Sequence, residues 1–292
     1  MANNWLNWFE IVNQTQPTIQ PKQRSFYWAD YTSNELALWA KQGAVAVVPV
    51  AAIEQHGPHL PVSVDTCIID GIIAQISQQL HTFDQAPPVL FLPTMQFGKS
   101  NEHAQYPGTI TLSVKTLIAV WMEIGECIAK SGFKKILFFN SHGGQASVMD
   151  IVTRDLRAEL NVIAMHCNWY MLGAPEGMYS AHELRFGIHA GDMETSMMMA
   201  LDSANVQHDK LANFKSSSEQ LLQDGFKQLQ VSPAAKIAWQ TQDLNEAGAA
   251  GNATLASAEK GSETIAYVAK EFIGLLKEVD ALPLSYLKNV KS

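Results

Sequence analysis

At 292 residues, with 47% hydrophobic and 16% charged side chains, the chain has the profile of a compact globular protein near the upper size of one domain, not of a disordered one. Its formal charge of −8 comes without a basic cluster, which argues against an electrostatic nucleic-acid site. No apolar run reaches membrane-spanning length, and the start Met-Ala-Asn-Asn-Trp-Leu lacks the basic and apolar stretches of a signal peptide, so a cytoplasmic protein without membrane contact is expected.

Residues 1–30 are rich in Gln, Asn and aromatics and read as an irregular arm, with Trp5, Trp8 and Phe9 free to pack on the domain or a neighbouring subunit. Residues 31–292 read as a single domain. Ser33 offers an N-cap for a helix running to about Lys41, with Gly43 near its end. Four apolar, β-branched or aromatic runs follow: 45–50, 89–93, 136–140 and 162–166. Each is nearly continuous, as strands buried on both faces are. Helical patterns lie between them at about 65–80, 113–131 and 145–160, and a further helix is expected over 193–201. Strands alternating with helices predict parallel βαβ units, hence a three-layer α/β/α sandwich with a mainly parallel central sheet. The polar region 203–258 reads as an excursion on the same domain. The last helix, about 259–276, carries Ile265, Val268, Ala269 and Phe272 on one face. Cys67, Cys127 and Cys167 sit in apolar segments without CxxC spacing and read as reduced, buried thiols.

The chemistry concentrates after the first strand, in Glu54-Gln55-His56-Gly57-Pro58-His59-Leu60-Pro61 followed by Asp65. Residues two apart in extended chain project to the same side, so Glu54 and His56 can face one point, and the prolines stiffen the loop that returns Asp65. Two carboxylates and a neutral imidazole suit a divalent metal such as Zn or Mn. The third strand ends in Asn140-Ser141-His142-Gly143-Gly144, at the sheet edge where ligands bind in open parallel sheets. The paired glycines let backbone approach a ligand closely. Glu194 falls in the first turn of a methionine-rich helix, where a carboxylate gains from the helix dipole but, once buried, usually has a cation for a partner. Glu102 and His103, in the loop after the second strand, are candidate substrate or supporting groups. Trp169, Tyr170, Tyr179 and Phe186 suggest a partly aromatic pocket wall.

Together these segments, with Glu102-His103 before Pro107-Gly108-Thr109 and Gly191-Asp192-Met193-Glu194-Thr195-Ser196, resemble the creatininase (creatinine amidohydrolase) family over about residues 45–200. The resemblance implies the α/β/α sandwich, a divalent-metal centre and a homo-oligomer, often a hexamer. Family members hydrolyse cyclic amides, cleave a formamide or trim a peptide. By position Glu54, His56, Asp65 and His142 match metal ligands, and His189 matches a histidine placed at the substrate. In creatininase itself a Tyr-Glu pair follows the histidine matching His142, and that glutamate binds the second metal; here the pair is Gly143-Gly144. Glu194 is then the carboxylate left to complete a second site, and the loss of the pair is expected to empty space beside the metals and shift the substrate away from creatinine.

These residues allow a division of labour. Glu54, Asp65 and His142 hold one ion; His56, the other oxygen of Asp65 and Glu194 hold a second, about 3.5–4 Å away as in two-metal sites. The cofactor expectation is one or two Zn and/or Mn ions per chain, with Fe possible. His189 and Glu194 are the expected catalytic residues, His189 protonating the departing nitrogen. Glu102, His103, Gly143 and Gly144 are the expected substrate contacts, the glycine N–H groups facing an oxyanion. The expected reaction is hydrolysis of a C–N bond in a small cyclic amide. A formamide-cleaving or peptide-trimming hydrolase, or a non-catalytic metal- or ligand-binding α/β protein, are the alternatives. No dinucleotide fingerprint is present to support the last.

Overall fold

In the computed structural model, which describes residues 25–231 and 235–288, the centre is a four-stranded parallel sheet in the order β2-β1-β3-β4. β1 (Val45–Val50), β2 (Val89–Phe91), β3 (Lys135–Asn140) and β4 (Ile163–Asn168) are joined through α2 (Val64–Leu80), α3 (Val114–Lys130) and α4 (Ala146–Leu160), with α1 (Ser33–Lys41) leading in. β1 pairs with β3 from Val45↔Lys135 to Val50↔Asn140, so both strands end level. Alternation along β1 sorts the core into two. Val45 and Val47 join Leu137 and Phe139 under α2 and the long C-terminal helix, α9 (Ala258–Ala281), whereas Ala46, Val48 and Val50 join Ile136 and Phe138 under α1, α3 and α4. The expected α/β/α sandwich is thus the observed fold. Each fully buried Ile, Val or Phe in these layers contributes about 1.5–3 kcal/mol by leaving water.

Beyond β4 come α5 (Ala181–Phe186), α6 (Asp192–Leu201), α7 (Ser217–Gln223), α8 (Thr241–Leu244) and α9 (Ala258–Ala281). α6 and α9 cross closely. A Cβ on Gly261 would collide with the Ser196 backbone, so glycine is what lets the helices touch. The polar excursion does not stay outside. It returns through buried Ala249 and Ala250, and Ala250 pairs with His189 backbone to backbone.

Local differences have local causes. Ser33 is the first residue of α1 and not its cap; the cap is Thr32, whose N–H and hydroxyl both donate to Glu35. β2 stops at Phe91, short of Pro93, which has no N–H for the ladder. Pro49 is tolerated inside β1 because its missing donor would face the side that β2 has already left. α9 runs five residues past Leu276, keeping Val279 buried. Cys127 is exposed on the outward side of α3, and Cys67 and Cys167 are only half-buried, so the expected burial of the three free thiols is not met. Ordered contacts begin before residue 31: Phe26 is buried, and Tyr27 bridges to Phe91. Trp5, Trp8 and Phe9 of the expected arm lie outside the described residues. Among the described residues no helix is long and apolar enough to cross a membrane.

Candidate metal centre

The carboxyl ends of β1 and β3 carry the site. After β1 the chain runs extended, and Glu54 N–H donates to Val62 O at 3.1 Å, pinning the loop before Asp65 enters the first turn of α2. Gly57 makes the turn inside this loop. Its φ of +68° disfavours other residues, and a Cβ there would stand 2.8 Å from Ala249. After β3, Asn140 holds the His142 turn: its Oδ1 accepts from His142 N–H at 3.0 Å and from Gln145 at 2.9 Å.

The convergence is tight. Ligand atoms of Glu54, Asp65 and His142 all lie within 4.8 Å of one another, and so do those of His56, Asp65 and Glu194, and of Glu54, His56 and His189. The first two groups are the two sets expected from sequence, with Asp65 common to both. His56 Nδ1–H donates to Glu54 O at 3.0 Å, which leaves the Nε2 lone pair facing inward. That atom stands 3.9 Å from Glu54 Oε1, 3.8 Å from Asp65 Oδ1 and 4.0 Å from Glu194 Oε2, too far for hydrogen bonds. His142 Nε2–H donates to Lys99 O at 2.9 Å, so its Nδ1 lone pair faces Glu54 Oε2 at 3.1 Å and Asp65 Oδ2 at 3.5 Å. Glu54 Oε2, His56 Nε2 and Asp65 Oδ2 are buried without a hydrogen-bond partner. Buried lone pairs facing one another repel unless a cation lies between them. Donor atoms each about 2 Å from a zinc-sized ion stand about 3–4 Å apart. The residues present therefore fit a divalent cation.

Electrostatics agree. Burial opposes ionisation of Glu54, but His142, then His103 and His56, pull its carboxyl well below the usual range. Burial, then Glu54, pushes Asp65 well above it. Burial also raises Glu194. His56 is pushed well down by burial and by His189, so it stays a neutral donor. Burial would lower His142, but Glu54, Glu102 and Asp65 outweigh it and lift the imidazole well above its ordinary value. The cluster holds more carboxylate than cation, so it favours a positive charge in its midst.

The other expected residues crowd round this core. Gln55 Oε1 accepts from Gly57 N–H at 2.9 Å, which turns its amide nitrogen to His103 Nδ1 at 2.8 Å. His103 Nε2 then carries the proton and points at Glu54 Oε1, 3.6 Å away. Burial, then His189, pushes His103 down to about 3, so it is neutral. His189 Nε2–H donates to Gln55 O at 2.7 Å and presents its Nδ1 lone pair 3.9 Å from Glu54 Oε1. The His189 ring lies between those of His56 and His103, with centroids 4.1 and 4.3 Å away. Tyr170 reaches this end, its hydroxyl 3.8 Å from where a Gly143 Cβ would be. Trp169 and Tyr179 are buried in the packing instead, the Tyr179 hydroxyl bonded to Thr264 at 2.8 Å.

A family model described as creatinine amidohydrolase matches residues 29–276. The chain belongs to the creatininase family. A mycofactocin precursor peptide peptidase of Mycobacterium tuberculosis is 30% identical over 169 residues, 56% of this chain and 61% of that protein. The chain thus spans about three fifths of the length of the curated peptidases it matches. A creatinine amidohydrolase of Pseudomonas putida is 25% identical over 203 residues, 64% of this chain and 74% of that protein. A solved creatininase, titled as a manganese form, superposes with a TM-score of 0.72 at 19% identity, covering 89% of this chain and all of that one, a likeness of fold.

Within this creatininase fold, one expectation needs correction. Gly143-Gly144 does not empty the space beside the cluster. Gly143 is open, but a Cβ on Gly144 would collide with Glu102 Oε1 and stand 2.5 Å from His142 Nε2. Glu102 occupies that volume, its Oε1 3.3 Å from His142 Nε2. Gly144→Ala is expected to push Glu102 off His142 and to destabilise by about 1–3 kcal/mol, the usual penalty for a methyl forced into filled space. In a Glu102→Ala background it should cost less, the remaining penalty coming from the 2.5 Å approach to His142 Nε2. Denaturant unfolding of the four proteins reads this difference; strictly additive losses would show that the two positions do not interact.

Some supporting residues escaped the sequence. Gln55 stood inside the leading motif but had no assigned role. Thr241, on α8, sets its single hydroxyl proton between Glu102 O at 2.9 Å and His103 Nδ1 at 2.8 Å from 138–139 residues away, with no local signal.

Proposed function

We propose that this creatininase-family hydrolase is a metal-dependent amidohydrolase that cleaves a C–N bond of a small amide. The observation that carries the reading is the convergence of buried, unpartnered lone pairs from Glu54, His56 and Asp65 on one point, flanked by His142 and Glu194. Glu54, Asp65 and His142 would hold one ion, and His56, Asp65 and Glu194 a second. Manganese and zinc are the ions proposed, because creatininases of this fold are titled with each. Bound there, a divalent cation lowers the pKa of water toward ~7 and polarises an amide carbonyl.

The chain's own groups do the rest. His189, anchored through Nε2–H, offers Nδ1 to take the proton of the attacking water and pass it to the departing nitrogen. Neutral His103 offers Nε2–H to a substrate oxygen. Open Gly143, with the backbone N–H groups of 143 and 144, gives room and donors to the developing oxyanion. Tyr170, pushed up to about 12 by burial and then Asp65, stays protonated and remains a donor.

The substrate proposed is a cyclic amide other than creatinine. The 30% identity to a peptide peptidase, against 25% to a creatinine amidohydrolase, favours peptide trimming as a second reading. A panel of lactams, imides, hydantoins, formamides and short peptides, assayed with and without chelator, tests both. Chelator-sensitive ring opening is expected. Efficient creatinine turnover would refute the specificity, turnover confined to peptides would select the second reading, and chelator-insensitive activity would refute the mechanism.

A further inference from the structure

Glu183, on α5, is a buried carboxylate that the reaction above does not use. It is 4% exposed, and among the described residues no cation pairs with it. Its oxygens go instead to two backbone donors from separate segments. Oε1 accepts from Asp192 N–H, the first residue of α6, at 2.7 Å, and Oε2 accepts from Asn252 N–H at 3.1 Å. The first contact places the negative charge at a helix N-terminus, where the dipole favours it. Three glycines make room for the group. A Cβ on Gly187 or Gly191 would collide with the carboxylate, and one on Gly251 would stand 3.0 Å from Oε1. Backbone from both segments is therefore pressed against a single side chain.

What lies between two of those glycines is Ile188-His189-Ala190. Ala190 has φ +54°, a left-handed conformation that alanine adopts at a cost of about 1–3 kcal/mol and only where its surroundings hold it. Backbone and side-chain hydrogen bonds hold it. Gly187 N–H donates to Glu183 O at 2.7 Å, His189 and Ala250 exchange backbone bonds at 3.1 and 2.8 Å, and Ala190 N–H donates to Glu194 Oε2 at 2.6 Å. Glu183 closes both ends of this turn. We propose that Glu183 is a positioning residue: its carboxylate ties the start of α6 to the 250–252 segment and thereby sets Glu194 and His189 against the metal-holding cluster. The inference rests on the metal reading of the site.

Glu183→Gln keeps the shape but leaves one oxygen for two N–H donors, and turns an NH₂ group against one of them. Mn²⁺ titrated into chelator-treated protein, followed by calorimetry, reads the consequence. The uptake step that uses Glu194, identified as the one lost in Glu194→Gln, is expected to weaken about 10–100-fold in Glu183→Gln, the range for outer contacts that orient a ligand. The step that uses His142 should keep its wild-type affinity. A purely structural Glu183 would lower the unfolding temperature and leave both steps unchanged, and that result would overturn the inference alone. Wild-type protein that takes up no Mn²⁺ would overturn the metal reading and the inference with it. Where Glu183→Gln does not fold, Gly191→Ala serves. Its φ of −84° suits alanine, so the methyl acts by displacing the carboxylate and pressing on Gly251 Cα, 3.1 Å away, both parts of the same tie, and the same selective weakening is expected. Uptake identical to wild type in that variant would overturn the proposal.

Discussion

Asp65→Ala is expected to strip metal from both halves of the centre and to lower kcat/KM by about 10³–10⁴. Its Oδ1 stands 3.8 Å from His56 Nε2 and its Oδ2 3.5 Å from His142 Nδ1, so one side chain serves both groups of donors. A polarising ion contributes several kcal/mol to the transition state, and each 1.36 kcal/mol is tenfold in rate, which gives that range. The metal-free fold should survive the change. Burial and Glu54 oppose the Asp65 charge more than His142 favours it, so its removal relieves a net repulsion. Glu194→Gln is the contrast, since Glu194 belongs to one group only and one ion should remain. Elemental analysis beside circular dichroism measures both. A folded Asp65→Ala protein with wild-type metal content would show that the convergence holds no metal.

His189→Ala should reduce kcat by about 10²–10⁴, the usual contribution of a positioned acid–base group, with metal content unaltered. The geometry gives this residue one free function. Nε2–H is committed to Gln55 O, and only Nδ1 faces the cluster. A competing role exists, because Glu54, His56 and His189 form a metal-capable triple of their own. Metal analysis of the variant separates the two. A deep fall in kcat at constant metal selects proton transfer. A parallel loss of an ion makes His189 a ligand and sinks the acid–base assignment.

Much of this was legible in the chain. Unbroken β-branched runs marked buried parallel strands, and helical patterns between and after them marked α2, α3, α4 and α9. Those signals are local, because strand burial and helix periodicity are decided within a few residues. The five candidate ligands were legible for a related reason. Each sits at a strand end or a helix start, and parallel topology brings such ends to one edge of the sheet.

The sequence had no means of showing which side chain fills which volume. Gly144 read as empty space, yet Glu102 occupies it from 42 positions earlier in the chain. Gln55 turns towards His103 because Gly57 N–H claims its oxygen, and Thr241 arrives from the returning excursion. The exposure of Cys127 follows from which face α3 turns to the sheet, a choice that apolar composition does not encode. Glu183 carries no motif, and its meaning lies in two backbone N–H groups supplied 9 and 69 residues away. Hydrogen bonds and close contacts of this kind depend on distances of a few tenths of an ångström between segments far apart in the chain. Only the packed tertiary structure sets those distances, whereas periodicity and capping are written in neighbouring residues.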